Sequence, residues 1–199
     1  MYWGPTINFT PMKWFALRKS SHEQLAVSMA GIKLGDRLLV VGCSHPMLIA
    51  ELAVKTGLTG RAFAVDEHER SVTSAAAIAA REGALVETAT TAWRELPLDT
   101  DSFDVVIVRD VLPHLAAAER RECLREVRRV LRAGGRCLVI DGKGRGRAGG
   151  GRNGSAAADY VSENAAVVAL SAEGFKAARI LAERDGLRFA EAVKPNAGR

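Results

Sequence analysis

The sequence predicts an α/β domain in which a mostly parallel sheet is flanked by helices and finished by a C-terminal antiparallel hairpin. Three observations carry this. Short apolar runs alternate with helical segments from Leu38 to Ala172, the pattern of a parallel sheet built through right-handed crossovers. The first run opens onto a glycine-containing turn and a helix start. The last two alternating runs are joined by Asp185-Gly186, a strong hairpin signal.

Taken in order, Ser21 to Ala30 reads as a helix capped by Ser20 or Ser21 and stopped near Gly31, because a serine oxygen can take a free first-turn N–H. Leu38-Leu-Val-Val is a continuous apolar run, as a strand buried on both faces requires. Pro46 to Lys55 follows as a helix, with the proline in the first turn, where its missing N–H costs nothing. Arg61 to Val65 is a second strand ending at Asp66, and Glu69 to Glu82 an Ala-rich helix closed by Gly83. Leu85 to Ala89 and Phe103 to Val108 are the third and fourth strands. Ala118 to Arg132 places Leu124, Val127, Val130 and Leu131 on one stripe, with Gly134-Gly135 expected to end that helix. Arg136 to Ile140 is the fifth strand. Residues 142–154 are rich in Gly and Arg and predict a mobile loop, before a helix over about 156–172. Ala178 to Ala182 and Leu187 to Val193 are the hairpin strands.

At 199 residues the chain suits one domain with a substantial core. Residues 1–34 form a leader plus helix, and 35–199 the main domain. The leader is unusual for its aromatics: Tyr2, Trp3, Phe9, Trp14 and Phe15, interleaved with Lys13, Arg18 and Lys19. Such a segment could lie on a membrane surface, cover a ligand site, meet a protein partner, or simply pack on the domain. The N-terminus lacks a basic segment followed by an apolar run and a cleavage site. The most apolar stretch, Leu38 to Val54, is broken by His45, Pro46 and Glu51, which excludes a membrane span. A cytoplasmic setting is the expectation, with the leader as the route to membrane association.

Cys43, Cys123 and Cys137 are odd in number and show no CxxC spacing, and the four histidines are scattered. That argues against a disulfide framework and against a metal site. The formal charge is +5, with bases concentrated from Arg120 to Arg152. A phosphate-facing surface is one reading. A solvated helix face followed by a basic loop is the favoured one, and RNA is not an expected partner.

Chemistry points to the turn Val40-Val-Gly-Cys-Ser-His-Pro. A strand, a tight turn and a helix N-terminus direct free N–H groups and the helix dipole at a bound nucleotide. An acid at the end of the second strand, Asp66, is placed to accept both ribose hydroxyls. Gly35-Asp-Arg-Leu-Leu-Val-Val-Gly-Cys, Glu95-Leu-Pro-Leu-Asp-Thr-Asp-Ser-Phe-Asp-Val-Val, Val111-Leu-Pro-His-Leu and Arg125-Glu-Val-Arg-Arg-Val-Leu-Arg-Ala-Gly-Gly-Arg follow in order. This series resembles the motifs of class I S-adenosylmethionine-dependent methyltransferases, over roughly Gly35 to Asp141. It looks most like the small-molecule group that includes the quinone-biosynthesis enzymes.

The resemblance implies a Rossmann-like fold, S-adenosylmethionine as cofactor and a small-molecule acceptor. It implies cofactor contacts from Gly42, Cys43, Ser44, Asp66 and Glu67, and from Ala92, Trp93 and Arg109. His114 and Asp110 are the candidate bases, with Arg109 and His45 beside them at the mouth. Cys43 reads as a small loop residue rather than a reactive thiol, and Trp93 as either an adenine platform or a core contact.

The cofactor loop departs from the family pattern of acid-x-Gly-x-Gly-x-Gly. The acid's place is Val40, Gly42 keeps the first glycine, and Ser44 and Pro46 stand at the other two. The acid expected near the adenine is Ala92. Losing one charge-assisted hydrogen bond costs about 1.5–3 kcal/mol, roughly ten- to a hundredfold in affinity. The expectation is an active methyltransferase with a divergent pocket; the alternative is a catalytically inactive relative kept as a binding or scaffold subunit.

Overall fold

In the computed structural model the described residues are 21–142, 160 and 162–196. The aromatic leader, the Ser20 cap, residues 143–154 of the expected loop and residues 156–159 and 161 of the helix expected after it lie outside them. The elements in chain order are α1 (Ser21–Ala30), β1 (Arg37–Val41), α2 (Pro46–Thr56), β2 (Arg61–Asp66), α3 (Glu69–Arg81) and β3 (Glu87–Thr90). Then come β4 (Phe103–Arg109), a 3-10 turn (Leu112–His114), α4 (Ala117–Val130), β5 (Leu131–Gly142), α5 (Ala165–Ala172), β6 (Lys176–Arg184) and β7 (Leu187–Val193).

The strands form one sheet in the order β3-β2-β1-β4-β5-β7-β6. The β1–β2, β1–β4, β2–β3 and β4–β5 pairs are parallel, and β7 runs antiparallel to both β5 and β6. This is the Rossmann-like sheet the sequence predicts. The order reverses at β1, so the chain leaves the neighbouring strands β1 and β4 toward opposite faces at their carboxyl ends, the usual place for a ligand in an open α/β sheet.

Alternation along β1 builds both cores. Leu38 and Val40 face a cluster with Leu48, Ile49 and Leu52 of α2 and with Ala26 and Ala30 of α1. Leu39 and Val41 face a second cluster with Leu124 and Val127 of α4 and Leu170 of α5. A strand buried on both faces needs this uninterrupted apolar run. Asp185 and Gly186 both adopt positive φ, at 54° and 78°, as a hairpin turn whose twist matches its strands requires.

Three expectations shift. α4 ends at Val130, ahead of Gly134-Gly135, because the fully buried Leu131 is already extended (φ −67°, ψ 135°) and pairs with Phe103. The register then breaks before Arg136 pairs with Val105, and Gly134 supplies the positive φ of 74° that this irregularity needs. α5 begins only at Ala165, with 162–164 in bend and turn, so the longer helix is not continuous there. β3 occupies Glu87–Thr90, about two residues later than the apolar pattern suggests.

The basic stretch is also more tied down than a solvated face. Arg129 pairs with Glu126 at 2.8 Å and donates to the Leu96 and Leu98 carbonyls. Arg125 pairs with Glu173 at 2.8 Å, Arg136 with Glu191 at 3.4 Å, and Arg132 with Asp104. Three of these four carboxylates come from segments far away in sequence, so a local count of opposing charges misses them. No helix among the described residues is long and apolar enough to cross a membrane.

Candidate functional site

The turn after β1 is shaped by Gly42, whose φ is 101° and whose amide donates to Val65 O at 2.9 Å. A Cβ on Gly42 would collide with the Arg109 carbonyl oxygen and with Val111. Only glycine lets the turn lie this close to the end of β4. Cys43 follows, 1% exposed, and its amide donates to Asp66 Oδ2 at 2.7 Å. Burial first, and then the Asp66 charge, push the Cys43 thiol up to about 12, so it is no nucleophile at neutral pH. Ser44 is exposed, and His45 stands at the N-cap position of α2 without a side-chain capping bond.

Asp66 ends β2 and is buried. Its Oδ2 takes the Cys43 amide, and its Oδ1 takes the His68 amide at 2.9 Å, with His68 Nδ1 at 3.1 Å. The carboxylate is thus aimed at the turn, as the sequence anticipates. The sequence reading misses His68, whose ring rests on the same carboxylate. Its signal was present: a histidine two residues after a strand-end acid, just before a helix, is within local reach of that acid.

Beside Asp66, Thr91 N–H donates to the Asp66 carbonyl at 3.0 Å, and Trp93 N–H donates to Glu67 Oε1 at 3.3 Å. Gly42, Cys43, Asp66, Glu67, Thr91 and Trp93 are thereby linked through main-chain amides at the carboxyl ends of β1, β2 and β3, with Ala92 between the last two. Trp93 is 8% exposed and packs into the core with Val65, Leu96 and Leu112.

The other side is built by β4 and β5. Asp110 has a positive φ of 51°, a conformation that Asp tolerates better than most residues. Its Oδ1 accepts the Gly142 amide at 2.9 Å, and its Oδ2 lies 3.0 Å from His45 Nε2. Burial pushes the Asp110 carboxyl up. The His45 hydrogen bond, the Arg109 charge and the Gly142 amide outweigh it and hold the group below its usual range. His45 and Asp110 thereby clasp across the crevice between β1 and β4.

Arg109 does not stand at the mouth. Its guanidinium is buried, donates to Ile140 O at 3.1 Å, and lies 3.2 Å from Asp110. Asp141 is buried behind it and accepts the Tyr160 hydroxyl at 3.0 Å. Arg120 sits 4.4 Å over the Tyr160 ring. Arg109 Nε and Asp141 Oδ1 are buried and make no hydrogen bond among the described residues. Desolvation raises the Asp141 carboxyl to about 7, against the lowering effect of the Tyr160 hydrogen bond. His114 ends the 3-10 turn with its side chain exposed.

No group of three or more His, Cys, Asp or Glu among the described residues could hold a metal ion.

Residues 39–139 match the family described as a methyltransferase domain. Solved structures of similar fold include a SAM-dependent methyltransferase from Aquifex aeolicus, at TM-score 0.72 and 21% identity, over 86% of this chain and 88% of that one. A TehB-like SAM-dependent methyltransferase from Corynebacterium glutamicum aligns at TM-score 0.63 and 16% identity, over 85% and 86%. The cyclase SpnF aligns at TM-score 0.66 and 18% identity, over 88% and 80%. At such identities the likeness is one of fold, and the cyclase illustrates that fold alone does not name a reaction.

Proposed function

Because the chain belongs to the methyltransferase-domain family, we propose that it transfers the methyl group of S-adenosylmethionine to an oxygen, nitrogen or carbon nucleophile on a small molecule, as in the group that includes the quinone-biosynthesis enzymes. The observation that carries this reading is the buried Asp66 carboxylate, which grips the amide of the turn beside Gly42. Oδ2 keeps a lone pair, and Oδ1 regains one when the His68 ring turns away, so the carboxylate can take a vicinal diol.

The residues present fit a nucleoside. Gly42 lets the turn pack directly against the Arg109 carbonyl, which holds the Cys43 amide and Asp66 together at the carboxyl ends of the strands. The His68 side chain, 79% exposed, can turn off the carboxylate. Asp66 would hold the ribose, Glu67, Ala92 and Trp93 the edge of the base, and Cys43 and Ser44 the turn. When bound, the sulfonium supplies an activated methyl group, so the chain's task is positioning and water exclusion. A base is needed only for an acceptor that must lose a proton. Asp110 is kept ionised for that role, and His114 is exposed for it at the next turn. Arg109 acts by position, fixing Asp110 from behind.

Calorimetric titration with S-adenosylmethionine tests this. Saturable binding that weakens at least tenfold in Asp66→Ala supports it, and absence of binding by the intact protein contradicts it.

A second reading is a non-catalytic subunit that docks on a protein or membrane partner through its aromatic leader. It is favoured by the His45–Asp110 clasp and by Val40, buried in the sheet where the family carries an acid. It expects no cofactor affinity, together with co-purification of a partner that removal of residues 1–19 abolishes.

A further inference from the structure

The opposite end of the sheet carries a second site, and it does not rest on the methyl-transfer reading. Arg37 and Arg61 open β1 and β2 and are direct register partners. Residues paired in neighbouring strands share a face, and Leu39 and Phe63, the next pair but one, both belong to the side that carries α4. Two like-charged residues thus open neighbouring strands at the amino end of the sheet, an arrangement that is destabilising between cross-strand neighbours unless something neutralises it.

Arg61 is neutralised within the fold, since Nη2 meets both Glu87 oxygens at 2.7 and 3.0 Å. The exposed Arg37 is not: its guanidinium makes no hydrogen bond or ion pair among the described residues. Asp104, whose charge lies close to it, is committed to Arg132 and to the main-chain N–H of Arg37 itself. Below the pair is a cavity of about 320 Å³, floored by Phe63, Phe103 and Leu98, with Asp99 on its wall. That volume is at the lower end for small-molecule sites, and an apolar floor with a few placed charges is their usual composition.

We propose that this cavity binds a small aromatic carboxylate: the ring lies on Phe63 and Phe103, the carboxylate takes the bidentate fork of Arg37, and a hydroxyl on the far side of the ring donates to Asp99. The acid end is set by Arg37, the cavity's cation without a hydrogen-bonded or ion-paired partner among the described residues, and the ring by the two phenylalanines. The donor end is set by Asp99, which lines the same cavity and would repel a second anionic group. The site lies a full strand length from Gly42 and Asp66, so its occupant is a second ligand and not the methyl acceptor.

The test is an NMR titration of the full chain with 4-hydroxyphenylacetate, its amide 4-hydroxyphenylacetamide, and phenylacetate. The proposal expects saturable shifts at Phe63 and Phe103, with the amide at least tenfold weaker than the acid and phenylacetate weaker than its hydroxylated relative. In Arg37→Gln, an exposed and fold-neutral change, the acid and the amide bind alike. The acid bound no better than the amide by the intact protein, a preference for the acid that persists in Arg37→Gln, or no saturable shift at these residues overturns it.

Discussion

Gly42 is the residue on which the geometry of the rim turns. Its positive φ and the carbonyl of Arg109 beside it exclude any side chain. Gly42→Ala is expected to cost more than about 1 kcal/mol from the backbone conformation alone, with the clash added, and a chemical denaturation curve measures it. Asp141 supplies a second prediction at this scale. Its folded pKa is raised to about 7 by burial, against roughly 3.9 in the unfolded chain. A group raised in the folded state stabilises fully below its unfolded pKa and loses that contribution as pH rises through its folded one. Stability attributable to Asp141 therefore declines between about pH 4 and pH 7 and is flat above. Asp141→Asn keeps an acceptor for Tyr160 while removing the ionisation. Urea melts at pH 5 and pH 8 are expected to differ less in the variant than in the parent protein.

Among the elements, the C-terminal hairpin completes the core on the α1–α2 side of the sheet. β7 sits between β5 and β6, and its Phe189 is fully buried against the α1–α2 side of the sheet. Phe189→Ala is expected to cost about 3–5 kcal/mol through the cavity it leaves, read from the shift in melting midpoint. Elements of this kind were legible in the sequence. Leu38 to Val41, the Pro46 helix start and Asp185-Gly186 each express a local rule, and each appears where that rule puts it. α4 was misjudged at its end because helical periodicity continues through Leu131, and only pairing with Phe103 tells the chain to extend there. β3 was displaced because its four residues are at most half-buried and carry little apolar signal.

For the molecule as a whole, the parallel sheet separates two chemical ends. The carboxyl ends gather Gly42, Cys43, Asp66 and Asp110, and the sequence already placed each of them at or just after a strand end. It did not anticipate that His45 and His68, each preceding a helix, would rest on Asp110 and Asp66. One of these pairs spans 65 positions, and such contacts follow from the strand order rather than from spacing. The amino ends gather Arg37, Arg61 and Phe103, a grouping that also appears only once β1, β2 and β4 are neighbours. Neutralisation of the basic α4–β5 stretch by Asp104, Glu173 and Glu191 has the same origin.

The account stands on a nucleoside seated between the turn after β1 and the end of β2. Amide chemical shifts during a titration with S-adenosylhomocysteine test that seat directly. Saturable movement of Gly42, Cys43 and His68, whose amides surround Asp66 or border its turn, is the predicted result, with Arg37 and Phe103 at the far end unmoved. Shifts confined to the far end, or none that saturate, would contradict it.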